Sequence, residues 1–194
     1  MYKFYKGLMS KNAVDTVYHA LLPVLLENMN KYQELDTPAI NGRGLGTINF
    51  SETMLEIDNI KTIIEKDFGN EYEFTHSYIR LYPNSSVLNP HIDREGLDLT
   101  LSVNIYKHPD TSWPFNISKI QIPKSEMQFE HEVGDEKESY VLLAKYLKEF
   151  ISFETEPGDG VCCTRDHVHW RDFNTLSFEG DHFVQCFYHW KLKS

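Results

Sequence analysis

From Glu71 onward the chain keeps a period of two, and that regularity restricts what it can fold into more than any other feature. Tyr72, Phe74, His76, Tyr78, Arg80 and Tyr82 fall on one side of the alternation, and Thr75, Ser77, Ile79 and Leu81 on the other. Such a run predicts a long strand with two chemically different faces. A second strand, over 97–106, sets Leu99, Leu101, Val103 and Ile105 against Thr100, Ser102, Asn104 and Tyr106. One face of that strand suits a core, and the other suits the wall of a wet pocket. Further strands are expected from Trp113 to Ile122 and over 151–154, 160–164 and 182–190. Short strands preceded by helices point to a mainly β core with flanking helices.

The first of these strands runs into YPNSSVLNPHIDR, residues 82–94. His91 and Asp93 are two apart, so on an extended segment the imidazole and the carboxylate converge on one point. One more histidine from elsewhere would complete a facial set of two imidazoles and one carboxylate, which leaves metal positions open and suits non-haem Fe(II). Downstream, Pro157-Gly158-Asp159-Gly160 is a turn signal, and the residues after it can form a strand leading to His167 and His169. Alternation does not separate those two, because His167, His169 and Arg171 share a strand face.

Three pieces stand in a specific order: PHIDR at 90–94, WPF at 113–115, and PGDGV at 157–161 followed by HWRD at 169–172. In these the chain resembles the 2-oxoglutarate/Fe(II)-dependent dioxygenases of the prolyl-hydroxylase-like type, most nearly their small bacterial and phage members. The resemblance implies a double-stranded β-helix, a jelly-roll, cupin-like architecture. It implies His91, Asp93 and His169 as metal ligands, the His-Trp-Arg piece choosing His169 over His167. It implies Fe(II), O2 and 2-oxoglutarate, the last decarboxylated to succinate while a small molecule or a peptide residue is hydroxylated. Related halogenases replace the carboxylate ligand with a small residue, so Asp93 favours hydroxylation or desaturation. Many relatives also carry a Lys or Arg a short way beyond the last ligand, to grip the far carboxylate of 2-oxoglutarate. Here Glu179 holds that place, with the wrong charge. Arg171, on the face of His169, is the substitute, since a guanidinium offers the planar fork a carboxylate prefers. Tyr82 and Asn104, or Ser102, would add hydrogen bonds. Arg80 and Arg94 are assigned to the substrate, although Arg80 could exchange roles with Arg171, and Arg171 could instead pair with Asp172.

The remaining chain bounds the reading. One domain over 1–194 is expected, with helical support in 1–70, the β core in 71–194 and an insertion at about 123–150 that carries a short helix over 140–150. Ser10 and Ser51 are expected to cap two helices packed on the back of a sheet, the first kinked or broken near Leu22 by Pro23. A net charge of −10 argues against grip on a polyanion. Nothing resembles a signal peptide or a membrane span. Three cysteines, two of them adjacent, do not form a disulfide framework, so a cytoplasmic setting is expected. His76, His182 and His189 are expected to be packed or hydrogen-bonded, and Cys162, Cys163, Cys186 and the three tryptophans to be core. Segments 42–46 and 130–138 are expected to be lids or surface loops. Two functional classes fit: an oxygenase, and a non-catalytic cupin-like protein that holds a metal or ligand without turnover. A basic group facing the metal across the pocket would separate them.

Overall fold

The computed structural model describes residues 1–34, 40–41, 44–83, 86–109, 111–126, 144–172 and 181–193. Twelve strands occupy Tyr2–Tyr5 (β1), Gln33–Glu34 (β2), Ile40–Asn41 (β3), Gly44–Ile48 (β4), Tyr72–Pro83 (β5), Val87–His91 (β6), Leu99–Lys107 (β7), Phe115–Gln121 (β8), Phe150–Phe153 (β9), Gly160–Thr164 (β10), His167–Arg171 (β11) and His182–Leu192 (β12). They form a seven-stranded sheet in the order β1-β10-β7-β12-β5-β4-β2 and a five-stranded sheet in the order β3-β6-β11-β8-β9, all pairs antiparallel. From β5 to β8 successive strands alternate between the sheets. β9 stays beside β8, and β10, β11 and β12 alternate again. This is a double-stranded β-helix, as expected.

Alternation decides what each face of the large sheet meets. Ile79 and Leu81 of β5, Leu99, Leu101, Val103 and Ile105 of β7, and Val184, Cys186 and Tyr188 of β12 join one apolar cluster. Helix α1 (Lys11–Glu27), followed by the short α2 (Met29–Tyr32), adds Val14, Val17, Leu21 and Leu25 to it, and helix α3 (Ile57–Phe68) adds Ile60, Ile64 and Phe68. Helices α1 and α3 therefore cover the outer face, and Thr100, Ser102 and Asn104 of β7 are turned between the sheets. Tyr106, expected beside them, instead stacks on Tyr18 of α1 at 4.4 Å, and Tyr72 and Phe74 of β5, expected on the face of His76 and Arg80, join the outer cluster. Register shifts in the ladders of β12 with β7 and with β5 break the alternation at these points. Ser10 caps α1, its Oγ accepting from the Ala13 N–H at 3.2 Å. Of the kink or break expected near Leu22, the break does not occur: α1 continues through Pro23. Pro23 lies on the exposed side, where the His19 carbonyl that loses a partner is also exposed to water.

Ser51 opens a short 3-10 turn, Ser51–Met54, and α3 begins only at Ile57. Residues before 70 also supply strands: β1 edges the large sheet beside β10, and β4 extends it beyond β5. Gly44, Leu45 and Gly46, expected in a loop, belong to β4, while 42–43 and 130–138 lie outside the described residues. Between β8 and β9, Lys124–Glu126 is a 3-10 turn and 144–149 are turns rather than helix; 127–143 lie outside the described residues. The strand expected over 160–164 is β10, and the stretch that leads on to His167 and His169 is a separate strand, β11, since a turn at Arg165-Asp166 carries the chain from the large sheet to the small one.

The Pro157-Gly158-Asp159 turn ties the N-terminal segment to the core. Gly158 N–H donates to the Asn104 carbonyl at 2.7 Å, and its own carbonyl accepts from Met9 N–H at 3.0 Å. Asp159 accepts from Gly7 N–H at 2.7 Å and from Glu156 N–H at 2.9 Å. Gly158 has φ +93°, and a Cβ there would lie 2.6 Å from the Met9 carbonyl oxygen. Gly158→Ala is therefore expected to cost about 1–3 kcal/mol, from the backbone conformation alone. Thermal melting should show a drop of several degrees, and an unchanged Tm would contradict this turn geometry.

Candidate metal centre

The ladder between β6 and β11 places His91 and His169 directly opposite one another. Their ring centroids are 4.3 Å apart. Asp93, two residues past His91, brings its carboxylate to the same point. One ligand atom from each of His91, Asp93 and His169 lies within 4.8 Å of the others, and no other such group occurs among the described residues. Asp93 and His169 are buried and His91 is partly buried.

Each imidazole is oriented by its own backbone. His91 Nδ1 lies 2.7 Å from the Asn89 carbonyl and His169 Nδ1 3.2 Å from the His167 carbonyl. A carbonyl only accepts, so both Nδ1 atoms carry the proton and Nε2 is the lone-pair nitrogen of each neutral ring. Burial, followed by the neighbouring His169, pushes His91 down to about 4, which keeps it neutral at physiological pH. Burial raises the Asp93 carboxyl, but His169, His189, His91 and the Thr100 hydroxyl together outweigh it, and its pKa falls to about 2. Two neutral imidazoles and one carboxylate form a donor set that fits a borderline divalent cation such as Fe(II).

His167 faces elsewhere. Its Nδ1 donates to the Ser118 carbonyl at 2.8 Å, and its ring packs edge-on against Tyr2. The pairing of β11 with β8 shifts register between His167 and His169, so equal parity along the strand does not mean an equal destination.

A support shell that alternation alone did not reveal stands behind Asp93. Thr100 Oγ1 donates to Asp93 Oδ2 at 2.5 Å. With its one proton so used, that hydroxyl accepts from His189 Nδ1–H at 2.9 Å. His189, expected to be hydrogen-bonded, therefore holds the ligand's carboxylate through Thr100. Its ring lies 4.6 Å from that of His76. His189 and Thr100 are Cα partners across β12 and β7, so only the paired strands bring them together.

Along the inner face of β7 the side chains run Thr100, Ser102, Asn104, from the triad toward Arg171. Ser102 Oγ is buried and has no partner among the described residues. Arg171 is 1% exposed, packed between the Trp113 and Phe115 rings with its guanidinium carbon 5.1 and 5.2 Å from their centroids. It donates to the Trp113 carbonyl, and to Gln185 Oε1 at 3.1 Å. Its Nε has no partner among the described residues. Burial lowers its pKa to about 10, against the pull of Tyr82 and Glu154, and it remains a cation. The alternative pairing with Asp172 does not occur: Asp172 accepts from Asn116 Nδ2 at 2.9 Å.

The other expected site residues are distributed as follows. Tyr82 is buried, edge-on to Trp113, with the Arg80 guanidinium 5.0 Å above its ring. Arg80 is fully buried, and its guanidinium lies against Gly44, where any Cβ would be 2.5 Å from Nε. Asn104 donates to the Thr155 carbonyl at 2.8 Å and accepts from Gln185. Arg94 is exposed on the turn after Asp93, and Glu179 lies outside the described residues.

No family model matches the chain, and no curated protein matches it in sequence. Solved structures do. A Pseudomonas putida prolyl-4-hydroxylase superposes with TM-score 0.62 at 9% identity, covering 100% of this chain and 93% of that one. SnoK, a non-haem α-ketoglutarate-dependent carbocyclase of nogalamycin biosynthesis, gives 0.68 at 16% identity over 98% of this chain and 79% of its own. EctD from S. alaskensis, solved with 2-oxoglutarate and 5-hydroxyectoine, gives 0.63 at 16% over 98% and 71%. The chain has the fold of the 2-oxoglutarate/Fe(II) oxygenases.

From this geometry, His91→Ala, Asp93→Ala and His169→Ala are each expected to abolish Fe(II) binding in an anaerobic titration, whereas His167→Ala leaves it close to wild type. Loss of binding in His167→Ala with retention in His169→Ala would reverse the ligand assignment.

Proposed function

We propose that this chain, on the fold of the 2-oxoglutarate/Fe(II) oxygenases, is itself such an enzyme and hydroxylates a small molecule or a residue in a peptide. The observation that carries the reading is Arg171, a buried guanidinium with no carboxylate partner among the described residues, one strand repeat beyond His169. A protein that only held a metal would gain nothing from desolvating a cation there. A site that takes a metal chelate with a second carboxylate has a use for it.

His91, Asp93 and His169 would hold Fe(II) on one face. Bound there, iron with 2-oxoglutarate and O2 would supply the oxidation, in which one oxygen atom would go to succinate with loss of CO2 and the other to the substrate carbon. The residues of the chain do the positioning. The carbonyls of Asn89 and His167 aim the two imidazoles, and Thr100 and His189 keep the Asp93 carboxylate ionised and fixed. Arg171 lies two residues from His169, about 7 Å along an extended strand, and is the group we assign to the far carboxylate of 2-oxoglutarate. Ser102, between the two ends, is a further hydrogen-bonding group for the same molecule. Arg80 and the exposed Arg94 are assigned to the prime substrate. With a net charge of −10 a nucleic-acid substrate is disfavoured, and three free, buried cysteines suit the reducing cytoplasm. No helix among the described residues is long and apolar enough to cross a membrane.

Succinate release on mixing with Fe(II), 2-oxoglutarate and O2 tests the reading, and candidate substrates should accelerate it. Arg171→Met should raise the apparent constant for 2-oxoglutarate by about 30- to 1000-fold, the loss of a charge-assisted bidentate contact, with Fe(II) affinity unchanged. Arg171→Lys should recover only part, since an ammonium cannot present the fork. Arg80→Met should act on the prime substrate alone. If Arg80→Met cripples 2-oxoglutarate binding and Arg171→Met spares it, the two arginines exchange roles.

A further inference from the structure

Gln185 stands where a buried guanidinium would ordinarily meet an acid. Charged side chains are rarely fully buried without a paired opposite charge. Arg171 is 1% exposed, yet both its protein acceptors, the Trp113 carbonyl and Gln185 Oε1, are neutral. Glu154, whose charge acts on Arg171, and Asp172, its neighbour in the chain, are engaged elsewhere. Glu154 accepts from Ser112 Oγ at 2.6 Å, and Asp172 accepts from Asn116 Nδ2 at 2.9 Å. Among the described residues Arg171 makes no ion pair.

The orientation of Gln185 is specified by a chain of donors that ends on a backbone carbonyl. Asn104 Nδ2 donates to the Thr155 carbonyl at 2.8 Å, with Thr155 Oγ1 at 3.3 Å. A carbonyl cannot donate, so Asn104 must turn its Oδ1 the other way, toward Gln185. Gln185 Nε2 donates to that oxygen at 3.2 Å, which leaves Oε1 facing Arg171. Neither amide can flip without placing two donors or two acceptors face to face in a buried site. Gln185 is fully buried and Asn104 2% exposed, so water does not relieve such a mismatch. Gln185 and Asn104 are Cα partners across β12 and β7, which fixes the spacing of the relay.

We propose that Gln185 is a specificity-determining residue: it anchors Arg171 with a neutral oxygen and so reserves the guanidinium charge for a carboxylate ligand. Asn104 then acts as the orienter of Gln185 rather than as a direct ligand-binding group. The inference rests on the function proposed above, and its class of ligand is a 2-oxo acid with a second carboxylate.

Two variants separate charge from orientation. Gln185→Glu places an acid on Arg171, neutralising it from within and adding a negative charge against an incoming carboxylate. Gln185→Met keeps the length, removes both hydrogen bonds and adds no charge. The probe is 2-oxoglutarate, titrated calorimetrically into Mn(II)-loaded protein, with Mn(II) affinity and thermal melting measured separately on each variant. Gln185→Glu should weaken 2-oxoglutarate binding by at least about 30-fold, the consequence of like-charge opposition in a buried site. Gln185→Met should weaken it by about 3- to 10-fold, the loss of one anchoring hydrogen bond. Mn(II) affinity should stay at the wild-type value in both. Wild-type affinity in Gln185→Glu, or a greater loss in Gln185→Met than in Gln185→Glu, overturns the proposal. Should Gln185→Glu not fold, wild-type affinity in Gln185→Met is sufficient to overturn it. A wild-type protein that takes Mn(II) but no 2-oxoglutarate removes the proposed function, and this inference with it.

Discussion

The pairing of His169 with His91 across the β6–β11 ladder is the constraint on which the rest of the site depends. In an antiparallel pair, directly opposed residues project to the same side at the closest spacing the sheet allows. A slip of one residue would send one imidazole to the outer face of the small sheet and dissolve the cluster. The register is held from both sides of β11, by β6 and by β8, and by Trp170 and Val168 packing on the outer face with Ile92, Ile122 and Tyr146. The two imidazoles are therefore fixed by paired strands, and Asp93 follows just beyond the end of β6, its carboxylate held by Thr100 of β7, which suits a centre whose ligands must stay put while other positions exchange.

The large sheet supplies everything else through its two faces. Its outer face is closed by α1 and α3 in the main apolar cluster. Its inner face is graded: His189 and Thr100 sit at the Asp93 end, Ser102 in the middle, and Asn104 and Gln185 at the Arg171 end. Aromatic rings fill the spaces between these polar groups, with Tyr82, Trp113, Phe183 and Phe187 in one cluster. A buried, ring-walled interior strengthens each charge–dipole contact inside it and raises the cost of any group left unpaired. Arg171 is the group that bears that cost most visibly.

Much of this was legible before any coordinates. The alternation in 71–106 makes β5 and β7 legible as strands, and Thr100, Ser102 and Asn104 do turn between the sheets. Alternation cannot foresee the register shifts that carry Tyr72, Phe74 and Tyr106 to the helix-covered face. The spacing of His91 and Asp93 offers a convergent pair, and the resemblance carried by PHIDR, WPF and HWRD is what makes it a metal-site reading. His169 was not legible from spacing, since His167 and Arg171 share its parity. The resemblance of HWRD to known oxygenases made that choice, and a register shift in β11 is the physical reason the two histidines diverge. Strand β6, VLNPH, was missed because it is short and carries a proline, which reads as a turn. Thr100, His189 and Gln185 were hidden as a support shell because their partners are cross-strand neighbours, up to 89 residues away in sequence. Helix α1 runs through Pro23, whose side faces water, a placement that propensity alone does not reveal.

The central claim is that one metal ion sits on His91, Asp93 and His169 with a dicarboxylate stretched from it to Arg171. A crystal structure of the protein grown anaerobically with Mn(II) and 2-oxoglutarate tests it most directly. The account predicts metal density on Nε2 of both histidines and on the Asp93 carboxylate, with the far carboxylate of 2-oxoglutarate on the Arg171 guanidinium. Metal bound through His167, or a 2-oxoglutarate carboxylate held by Arg80 while Arg171 stays engaged only with Gln185 and Trp113, would contradict it.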